Sequence, residues 1–438
     1  MVNFPKYKSY KDSGVKWLGE LPSHWEVQSL NSILVNRNEK NEPVKTKDIL
    51  SLSIANGVTP YSDENRGGNK AKSDLTDYKL AYPGDIVLNS MNVVVGAVGL
   101  SKYFGAISPV YYALYLRNQE KNDIRFYDYI FKNSSFQKYL FQYGKGILVH
   151  KSDSGKLNTI RMKISIQDLK KVPLPLPPIT EQQKIVELLD RTTTDIDRAI
   201  AQKQRLIDLL QEQKAILINQ AVTKGLNLNV PVRDSSVEWL GKIPEHWQVR
   251  RAKYLFQEVD ERSTTGEEEL LSVSHITGVT PRSEKNVNMF MAEDYSGSKL
   301  CHKDDLVINI MWAWMGALGV ANQTGIVSPS YGVFRQIKPD TFNSWYLESL
   351  LRSIEYVAQY NRISTGLHSS RLRLYAHMFL SMEILFPPKE EQDQIEAITI
   401  DRIREIDAAI DAIDREIKTL EELRSVLISE AVTGKIKV

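Results

Sequence analysis

Two long segments of the sequence contain neither glycine nor proline, and they constrain the fold more than any other feature. The first covers 44 residues, Thr180 to Thr223, between a proline-rich run and Gly225. Thr180 and Gln183 have the T-x-x-Q spacing of a helix capping box, and Gly225 provides a C-terminal stop. Apolar residues recur at helical spacing: Ile185, Leu189, Ile196, Ile200, Ile207, Leu210 and Leu217. This pattern predicts a helix about 65 Å long, which needs a packing partner.

The second segment, Glu390 to Val432, is the expected partner. It follows the proline pair Pro387-Pro388 and ends before Gly434. Its apolar residues alternate at spacings of three and four, the pattern of a coiled-coil seam: Ile403, Ile406, Ile410, Ile413, Ile417, Leu420 and Leu427. The sequence therefore predicts that the two long helices pack together.

The rest of the chain is duplicated as well. DSGVKWLGELPSHWEV at Asp12 to Val27 returns at Asp234 to Val249, with ten of sixteen positions identical. LSLSIANGVTP at Leu50 to Pro60 returns at Leu271 to Pro281. Nine further residues recur at an offset of 220. They are Asp85, Asn89, Met91, Gly96, Gly99, Gly105, Ser108, Pro109 and Tyr111 in the first half, and Asp305, Asn309, Met311, Gly316, Gly319, Gly325, Ser328, Pro329 and Tyr331 in the second. The order is thus globular half, long helix, globular half, long helix.

Each globular half has mixed secondary-structure signals. Short strand patterns such as Asp85 to Ser90 and Val93 to Leu100 precede amphipathic helix patterns at Asn122 to Tyr143 and Phe342 to Tyr360. We predict an α+β fold: two pseudo-repeated globular domains separated by two long helices, which form an antiparallel coiled coil. The predicted boundaries are 1–178, 179–224, 225–388 and 389–438.

Composition limits the class of protein. A hydrophobic content of 42% and a charged content of 25% are those of a soluble globular protein, and the single Cys301 suits a reducing cytoplasm. No apolar run is long enough to predict a membrane span. Net charge is +9 over residues 1–178, where 25 Lys and Arg face 16 Asp and Glu, and −2 over residues 233–388. The first half is therefore suited to a polyanion, whereas the second half can bind one only through local patches.

Catalytic and metal-binding motifs are absent from the sequence. It contains no phosphate-binding loop, no H-E-x-x-H, no Cys/His metal spacing and no G-x-S-x-G. His24 and His246 lie beside tryptophans in matching P-x-H-W segments, where a packed turn is the favoured interpretation. We therefore predict no catalytic residue, no metal ligand and no cofactor.

Two polar loops at matched positions of the repeat are the best candidates for binding. Backbone phosphates attract cations and hydroxyl groups, and base edges bind Arg, Lys, Asn, Gln and Ser. For a single loop a solvated surface segment is the simpler interpretation, but two matched loops favour binding. The predicted contacts in the two loops are Lys145, His150, Lys151, Ser152, Lys156, Arg362, Ser364, Thr365, His368, Ser369, Arg371 and Arg373. Further predicted contacts follow the GVTP segments: Tyr61, Arg66, Asn69, Lys70 and Arg282. Trp312 and Trp314 are suited to stacking on a base, although their alternation with Ala313 is more typical of a strand.

The complete pattern resembles the specificity subunits of Type I restriction–modification systems. The resemblance is carried by WLGELPSHW and WLGKIPEHW, the two GVTP segments, PGDIVLNSMNVVVGAVG with its second copy, and PLPLPPITEQQKI and LFPPKEEQDQI. It covers essentially the whole chain.

This resemblance implies a non-catalytic protein with two target recognition domains, each reading half of a bipartite double-stranded DNA sequence. It also implies that the helices set the spacer, that two methyltransferase subunits dock on them, and that restriction/translocase subunits join the assembly. The alternative is a duplicated scaffold that organises two enzymes without binding DNA. Salt dependence separates the two, because binding through several phosphates weakens steeply with added salt.

Overall fold

The chain divides into two compact units. The structure is a computed structural model that describes residues 4–62, 73–147, 150–151, 157–158, 161–285, 294–366 and 372–438, with the backbone alone at 147, 150–151, 157–158 and 161. The first unit comprises residues 1–203 and 414–438, and the second comprises residues 204–413. Each unit thus contains one globular half and a section of both long helices.

The first globular half is built from short strands and short helices. Its strands are β1 (Tyr10–Asp12), β2 (Glu20–Pro22), β3 (Glu26–Ser29), β4 (Leu34–Arg37), β5 (Leu50–Ser53), β6 (Gly57–Pro60), β7 (Lys79–Ala81), β8 (Ile86–Asn89), β9 (Val98–Leu100), β10 (Gly105–Ile107), β11 (Tyr111–Leu116), β12 (Gly144–Ile147), β13 (His150–Lys151), β14 (Leu157–Asn158), β15 (Arg161–Ile164) and β16 (Pro173–Leu176). Its helices are α1 (Leu30–Ile33), α2 (Ile124–Lys132), α3 (Ser134–Leu140) and α4 (Ile166–Leu169), with 3-10 turns at Val93–Val95 and Phe141–Tyr143.

The second globular half follows the first long helix, α5 (Ile179–Lys224). Its strands are β17 (Val232–Asp234), β18 (Lys242–Pro244), β19 (Gln248–Arg251), β20 (Phe256–Glu258), β21 (Leu271–Ser274), β22 (Gly278–Pro281), β23 (Lys299–Cys301), β24 (Leu306–Ile308), β25 (Leu318–Val320), β26 (Gly325–Val327), β27 (Gly332–Gln336) and β28 (Glu383–Phe386). Its helices are α6 (Ser344–Leu351), α7 (Ile354–Ile363) and α8 (Ala376–Ser381), with 3-10 turns at Ala252–Tyr254, Arg282–Glu284 and Ala313–Met315. The second long helix, α9 (Lys389–Val432), ends the fold.

The two halves share one strand topology. A four-stranded antiparallel sheet has the order β4-β11-β8-β9 in the first half and β20-β27-β24-β25 in the second. A strand pair at the start of each long helix is also matched, β3 with β16 and β19 with β28. The duplication predicted from the sequence is therefore a duplication of fold.

A buried aspartate shows how the two copies have diverged. Asp85 is held by two hydrogen bonds from Arg37 on β4, at 2.8 and 3.0 Å. Its counterpart Asp305 is held by Arg335 on β27, with both hydrogen bonds at 2.9 Å. A buried carboxylate requires such a partner, and each copy supplies the arginine from a different strand.

The long helices run antiparallel within each unit. In the first unit, Arg424 of α9 donates to Asp197 of α5 at 2.6 Å, and Lys203 pairs with Glu416. In the second unit, Lys214 donates to Asp407 at 2.7 Å. Partner numbers on α9 fall as those on α5 rise, so the predicted antiparallel pairing and the predicted fold class are confirmed.

Each globular half packs against the end of one long helix and the beginning of the other. The first core joins Trp25 and Phe126 to Ile185 of α5 and to Ala431 and Val432 of α9. The second core contains Trp247, Ala221 and Val222 of α5, and Ile395 of α9. The two helices are thus anchored in the hydrophobic core of each half.

Several local predictions are wrong, including the strand patterns at Val93–Val95 and Ala313–Met315, which form 3-10 turns. Helix α5 begins at Ile179, so Thr180 lies inside the first turn and cannot form the predicted capping box. The predicted helix at Asn122 to Tyr143 is divided because Asn133 caps a second helix by accepting a hydrogen bond from the Phe136 amide. The predicted helix at Phe342 to Tyr360 is likewise divided, into α6 and α7. Gly225, with φ of 80°, terminates α5 as predicted.

Candidate DNA interface

The base of the polar loop in the first half is a two-stranded hairpin. Strands β12 and β15 pair Lys145 with Lys163. Lys145 is exposed, and its Nζ atom lies 3.3 Å from Asp168. Hydrogen bonds from Ser165 and then Lys145 hold the pKa of Asp168 below its usual value. Lys163 is exposed and forms no ion pair with another described residue, so it is available to an anion.

The corresponding loop in the second half closes through a single bridge. The Thr365 and Arg373 backbones exchange two hydrogen bonds, at 3.2 and 2.9 Å. Arg362 at the end of α7, Thr365 and Arg373 are all exposed. The side chains of Arg362 and Arg373 form no ion pair within the part of the chain that the structure describes, so both charges are accessible. Ser364 is different, since its hydroxyl is buried and has no hydrogen-bond partner among the same residues.

Each loop base is hydrogen-bonded to the equivalent position in the four-stranded sheet of its own half. The Ile164 amide donates to the Ser90 carbonyl, and the Leu374 amide to the Ile310 carbonyl, each at 2.9 Å. These carbonyls lie at the turns that follow β8 and β24. The side chain of Asn309 caps the second turn at the Met311 amide, at 3.2 Å. Asn89 caps the first turn in the same way at 3.0 Å.

Tyr61 and Arg282 occupy equivalent positions after the GVTP segments. The Tyr61 amide donates to Ile49 and the Arg282 amide to Leu270, both at 2.8 Å. Burial raises the pKa of Tyr331, and the charge of Arg282 opposes this shift. Tyr331 accepts a hydrogen bond from Asn309 at 3.1 Å. This hydrogen bond connects Tyr331 to the turn after β24.

The structure does not describe every predicted contact residue. Outside the described residues lie Arg66, Asn69, Lys70, Ser152, Lys156, His368, Ser369 and Arg371. His150 and Lys151 have a described backbone, which pairs with β14. The described residues Lys145, Arg282, Arg362, Thr365 and Arg373 are the ones on which the candidate interface rests.

Lys79 of the first half is a further candidate cation that the sequence pattern did not predict. Lys79 donates to the Tyr111 carbonyl at 2.8 Å, and its Nζ atom lies 5.0 Å from the Tyr112 ring centroid. Burial lowers the pKa of Lys79, and the nearby charge of Lys163 lowers it further. Two neighbouring cations favour an anion such as a phosphate group.

The repeat itself carried a signal for this site. Lys299 is the counterpart of Lys79, and it lies 3.8 Å from Glu258 and 3.6 Å from Asp260. At an offset of 222, those two acids correspond to Asn36 and Asn38 in the first half. Two carboxylates therefore offset the charge of Lys299 in the second half. The corresponding positions of the first half are asparagines, which cannot offset the charge of Lys79.

The two P-x-H-W histidines have a structural role. His24 Nε2 lies 2.7 Å from Glu181 in the first turn of α5, and His246 Nε2 lies 2.7 Å from Glu391 in α9. The described ranges hold no group of three or more His, Cys, Asp or Glu side chains arranged for a metal ion. No helix in the described part of the chain has an apolar stretch that could cross a bilayer.

Comparison with known proteins gives a consistent result. Residues 22–207 match the model of the Type I restriction modification DNA specificity domain. The MjaX type I restriction enzyme specificity subunit of Methanocaldococcus jannaschii is 24% identical over 456 aligned residues, which span 100% of this chain and 99% of that protein. The MjaVIII type I restriction enzyme specificity subunit of the same organism is 23% identical, over 98% of this chain and 97% of that protein.

Solved structures share the fold. One chain, from work on complex assembly and conformational transition of the type I R-M system, superposes with a TM-score of 0.64 at 15% identity and covers 94% of this chain and 98% of its own. The HsdS subunit from Thermoanaerobacter tengcongensis gives a TM-score of 0.52 at 14% identity, over 95% of this chain and 98% of that subunit. This chain is therefore similar to the Type I restriction modification DNA specificity domain over residues 22–207, and to two type I restriction enzyme specificity subunits over nearly its full length.

Proposed function

We propose that this chain is the DNA-reading, non-catalytic subunit of a Type I restriction–modification complex that acts in the cytoplasm. Residues 1–178 and 225–388 serve as target recognition domains, and each reads one half of a bipartite sequence. Residues 179–224 and 389–438 form the spacer helices. Two methyltransferase subunits dock on these helices, and restriction/translocase subunits join the assembly.

The observation that carries this proposal is the pair of matched loop bases. Each loop base is bonded to the equivalent turn in the four-stranded sheet of its own half. Each also presents exposed cations, which are Lys145 and Lys163 in the first half and Arg362 and Arg373 in the second. Cations and hydroxyl groups bind DNA phosphates, and Arg and Lys side chains also bind guanine edges. Duplicated sites of this kind suit a target that consists of two half-sites.

The long helices support the spacer role. Helix α5 contains 46 residues and α9 contains 44. At 1.5 Å per residue, a helix of this length extends for about 65–70 Å, or roughly two turns of B-DNA. Residues of each long helix are buried in the cores of both halves. An insertion into a helix would therefore shift the residues that pack in one of these cores.

Mapping of methylated bases in a host genome tests the proposal directly. The host is compared with and without this chain, with its methyltransferase subunits present in both strains. We expect methylation that depends on the chain to fall in two short fixed words separated by an unspecified gap. A single uninterrupted word would contradict the division into two reading domains, and unchanged methylation would contradict the function itself.

The salt dependence of DNA binding separates this function from that of a scaffold. Binding to a duplex that carries the mapped site should weaken steeply as salt is added, because phosphate contacts release counterions. A complex that assembles its enzymes but binds no duplex at low salt would instead support a scaffold.

A further inference from the structure

A stacked pair of tryptophans, one of them exposed, lies on the turn after β24. Trp312 and Trp314 stack with ring centroids 6.0 Å apart and an interplanar angle of 18°. Trp312 is 49% exposed, whereas Ala313 between them is fully buried and anchors the turn. The indole N–H of Trp314 donates to the Met311 carbonyl at 3.0 Å. This hydrogen bond fixes Trp314, and the ring of Trp314 packs against one face of the exposed Trp312.

The first half provides a control for the role of these side chains in folding. Its matching turn, Val93–Val95, is also a 3-10 turn that ends in a left-handed glycine. At an offset of 220, Asn92 corresponds to Trp312 and Val94 to Trp314. Because the same turn forms without aromatic residues, the fold does not require an exposed indole at this position.

A second aromatic pair follows Leu374, which is hydrogen-bonded to the start of the turn after β24. Leu374 donates to Ile310 at the start of the turn, and Tyr375 follows directly. The rings of Tyr375 and His377 stack at 6.0 Å and 9°, and both side chains are exposed. The matching residues of the first half, at an offset of 210, are Ser165 and Gln167. The aromatic surface is therefore specific to the second half.

The tryptophan turn is tied to the cationic loop base. The side chain of Asn361 donates to the Trp314 carbonyl at 2.7 Å, and Arg362 follows it in the chain. On the other side, the side chain of Asn309 donates to the Tyr331 hydroxyl at 3.1 Å. Positive side chains around an exposed aromatic face form the combination that binds nucleic acids, since the cations contact phosphates and the ring contacts bases.

We infer that Trp312 packs against a base of the second half-site, with Trp314 as its rigid support. This inference rests on the proposed function and adds a chemical difference between the halves. The second half, which lacks the net positive charge of the first, gains part of its affinity from aromatic contact. Apolar side chains contact DNA either at thymine methyl groups or by wedging between base steps, and an exposed indole is able to do both.

The test uses the specificity subunit assembled with its methyltransferase subunits and a labelled duplex that carries the mapped bipartite site. We expect Trp312→Ala to weaken binding roughly tenfold, the scale of one lost base–aromatic contact. The slope of log affinity against log salt should stay unchanged, because no charge is removed. Discrimination against duplexes altered in the second half-site should fall, and discrimination at the first half-site should stay intact. Trp312→Phe should retain part of the affinity.

The control variant is Tyr254→Ala, which removes another exposed aromatic side chain of the second unit and should bind as the wild type does. Wild-type affinity and discrimination in Trp312→Ala would overturn the inference. Loss of methyltransferase subunits with intact discrimination would also overturn it and assign the pair to a protein interface. If the wild-type complex itself failed to discriminate at either half-site, that result would contradict the proposed function. Failure of the proposed function is thereby distinguished from failure of the inference about Trp312.

Discussion

Gln392 makes at the start of α9 the same three hydrogen bonds that Gln182 makes at the start of α5. Gln182 accepts from the Asp123 amide at 2.9 Å and donates to the carbonyls of Pro177 and Lys121 at 2.8 and 3.2 Å. The corresponding distances for Gln392 are 2.9, 3.0 and 3.4 Å. Both side chains are fully buried, so each glutamine fixes the direction in which a long helix leaves its globular half.

Gln182→Ala should lower the free energy of unfolding by about 3 kcal/mol, because it leaves buried backbone groups without partners. The measurement is urea unfolding followed by tryptophan fluorescence. Gln183→Ala, at the exposed neighbouring position, should change the unfolding free energy by less than about 0.5 kcal/mol. Equal effects of the two variants would show that the buried hydrogen bonds do not stabilise the junction.

Glu181 is the acceptor of a second network at the same junction. It receives hydrogen bonds from Tyr7, His24 and Trp25, at 2.8, 2.7 and 2.9 Å. Burial alone raises the pKa of Glu181, but the three hydrogen bonds, from Trp25, His24 and Tyr7, outweigh burial and hold the pKa below its usual value. Since the folded state lowers this pKa, the network stabilises the fold above the usual carboxyl range and loses that effect as pH falls through the folded value.

We therefore expect Glu181→Gln to cost about 2 kcal/mol of unfolding free energy near neutral pH, the scale of hydrogen bonds to a charged group. The difference from wild type should shrink as the urea midpoint is measured from about pH 7 down to about pH 3.5. The control is Glu187→Gln on an exposed turn of the same helix. A difference that grew across the carboxyl range, below about pH 5, would mean that the folded pKa of Glu181 is raised.

The helical architecture was predictable because it depends on periodicity alone. Ile185, Leu189, Ile196 and Ile207 recur at helical spacing, and all four are buried. The partner of this apolar stripe was also evident from the second heptad pattern. By contrast, the contacts at the start of the first long helix were not predictable, because Gln182 and Glu181 bind residues far away in the sequence, such as Asp123 and Trp25.

The candidate interface was only partly predictable. A run of apolar residues at Val93–Val95 and the alternating tryptophans around Ala313 are both typical of strands. The structure has 3-10 turns at these places instead. The turns depend on Gly96 and Gly316, whose φ angles are 90° and 81°. Lys79 lies on β7 and Lys163 on β15, far apart in the sequence, so local patterns could not predict that the charge of one acts on the other.

The two exposed arginines of the second half give a prediction for DNA binding. Arg362→Gln and Arg373→Gln should each weaken binding and reduce the slope of log affinity against log salt by about one. Arg362→Lys should preserve the slope because it keeps the charge. Lys338→Gln, which changes an exposed lysine of the same half, should leave both quantities unchanged. The readout is titration of a labelled cognate duplex at several salt concentrations. An unchanged slope in both glutamine variants would exclude phosphate contacts at this loop base.

The length of the helix pair gives the final prediction. Seven residues inserted into α5 between Ile196 and Leu210, with a matching seven in α9 between Asp407 and Glu416, preserve the apolar seam. The insertion lengthens the pair by about 10 Å, or roughly three base-pair steps. We expect the genome-wide methylation motif to keep both half-site words and to gain about three unspecified base pairs between them. Leu209→Ala, an exposed change in the same segment, should leave the motif unaltered. Altered half-site words would show that the helices take part in reading sequence, because a pure spacer changes distance alone.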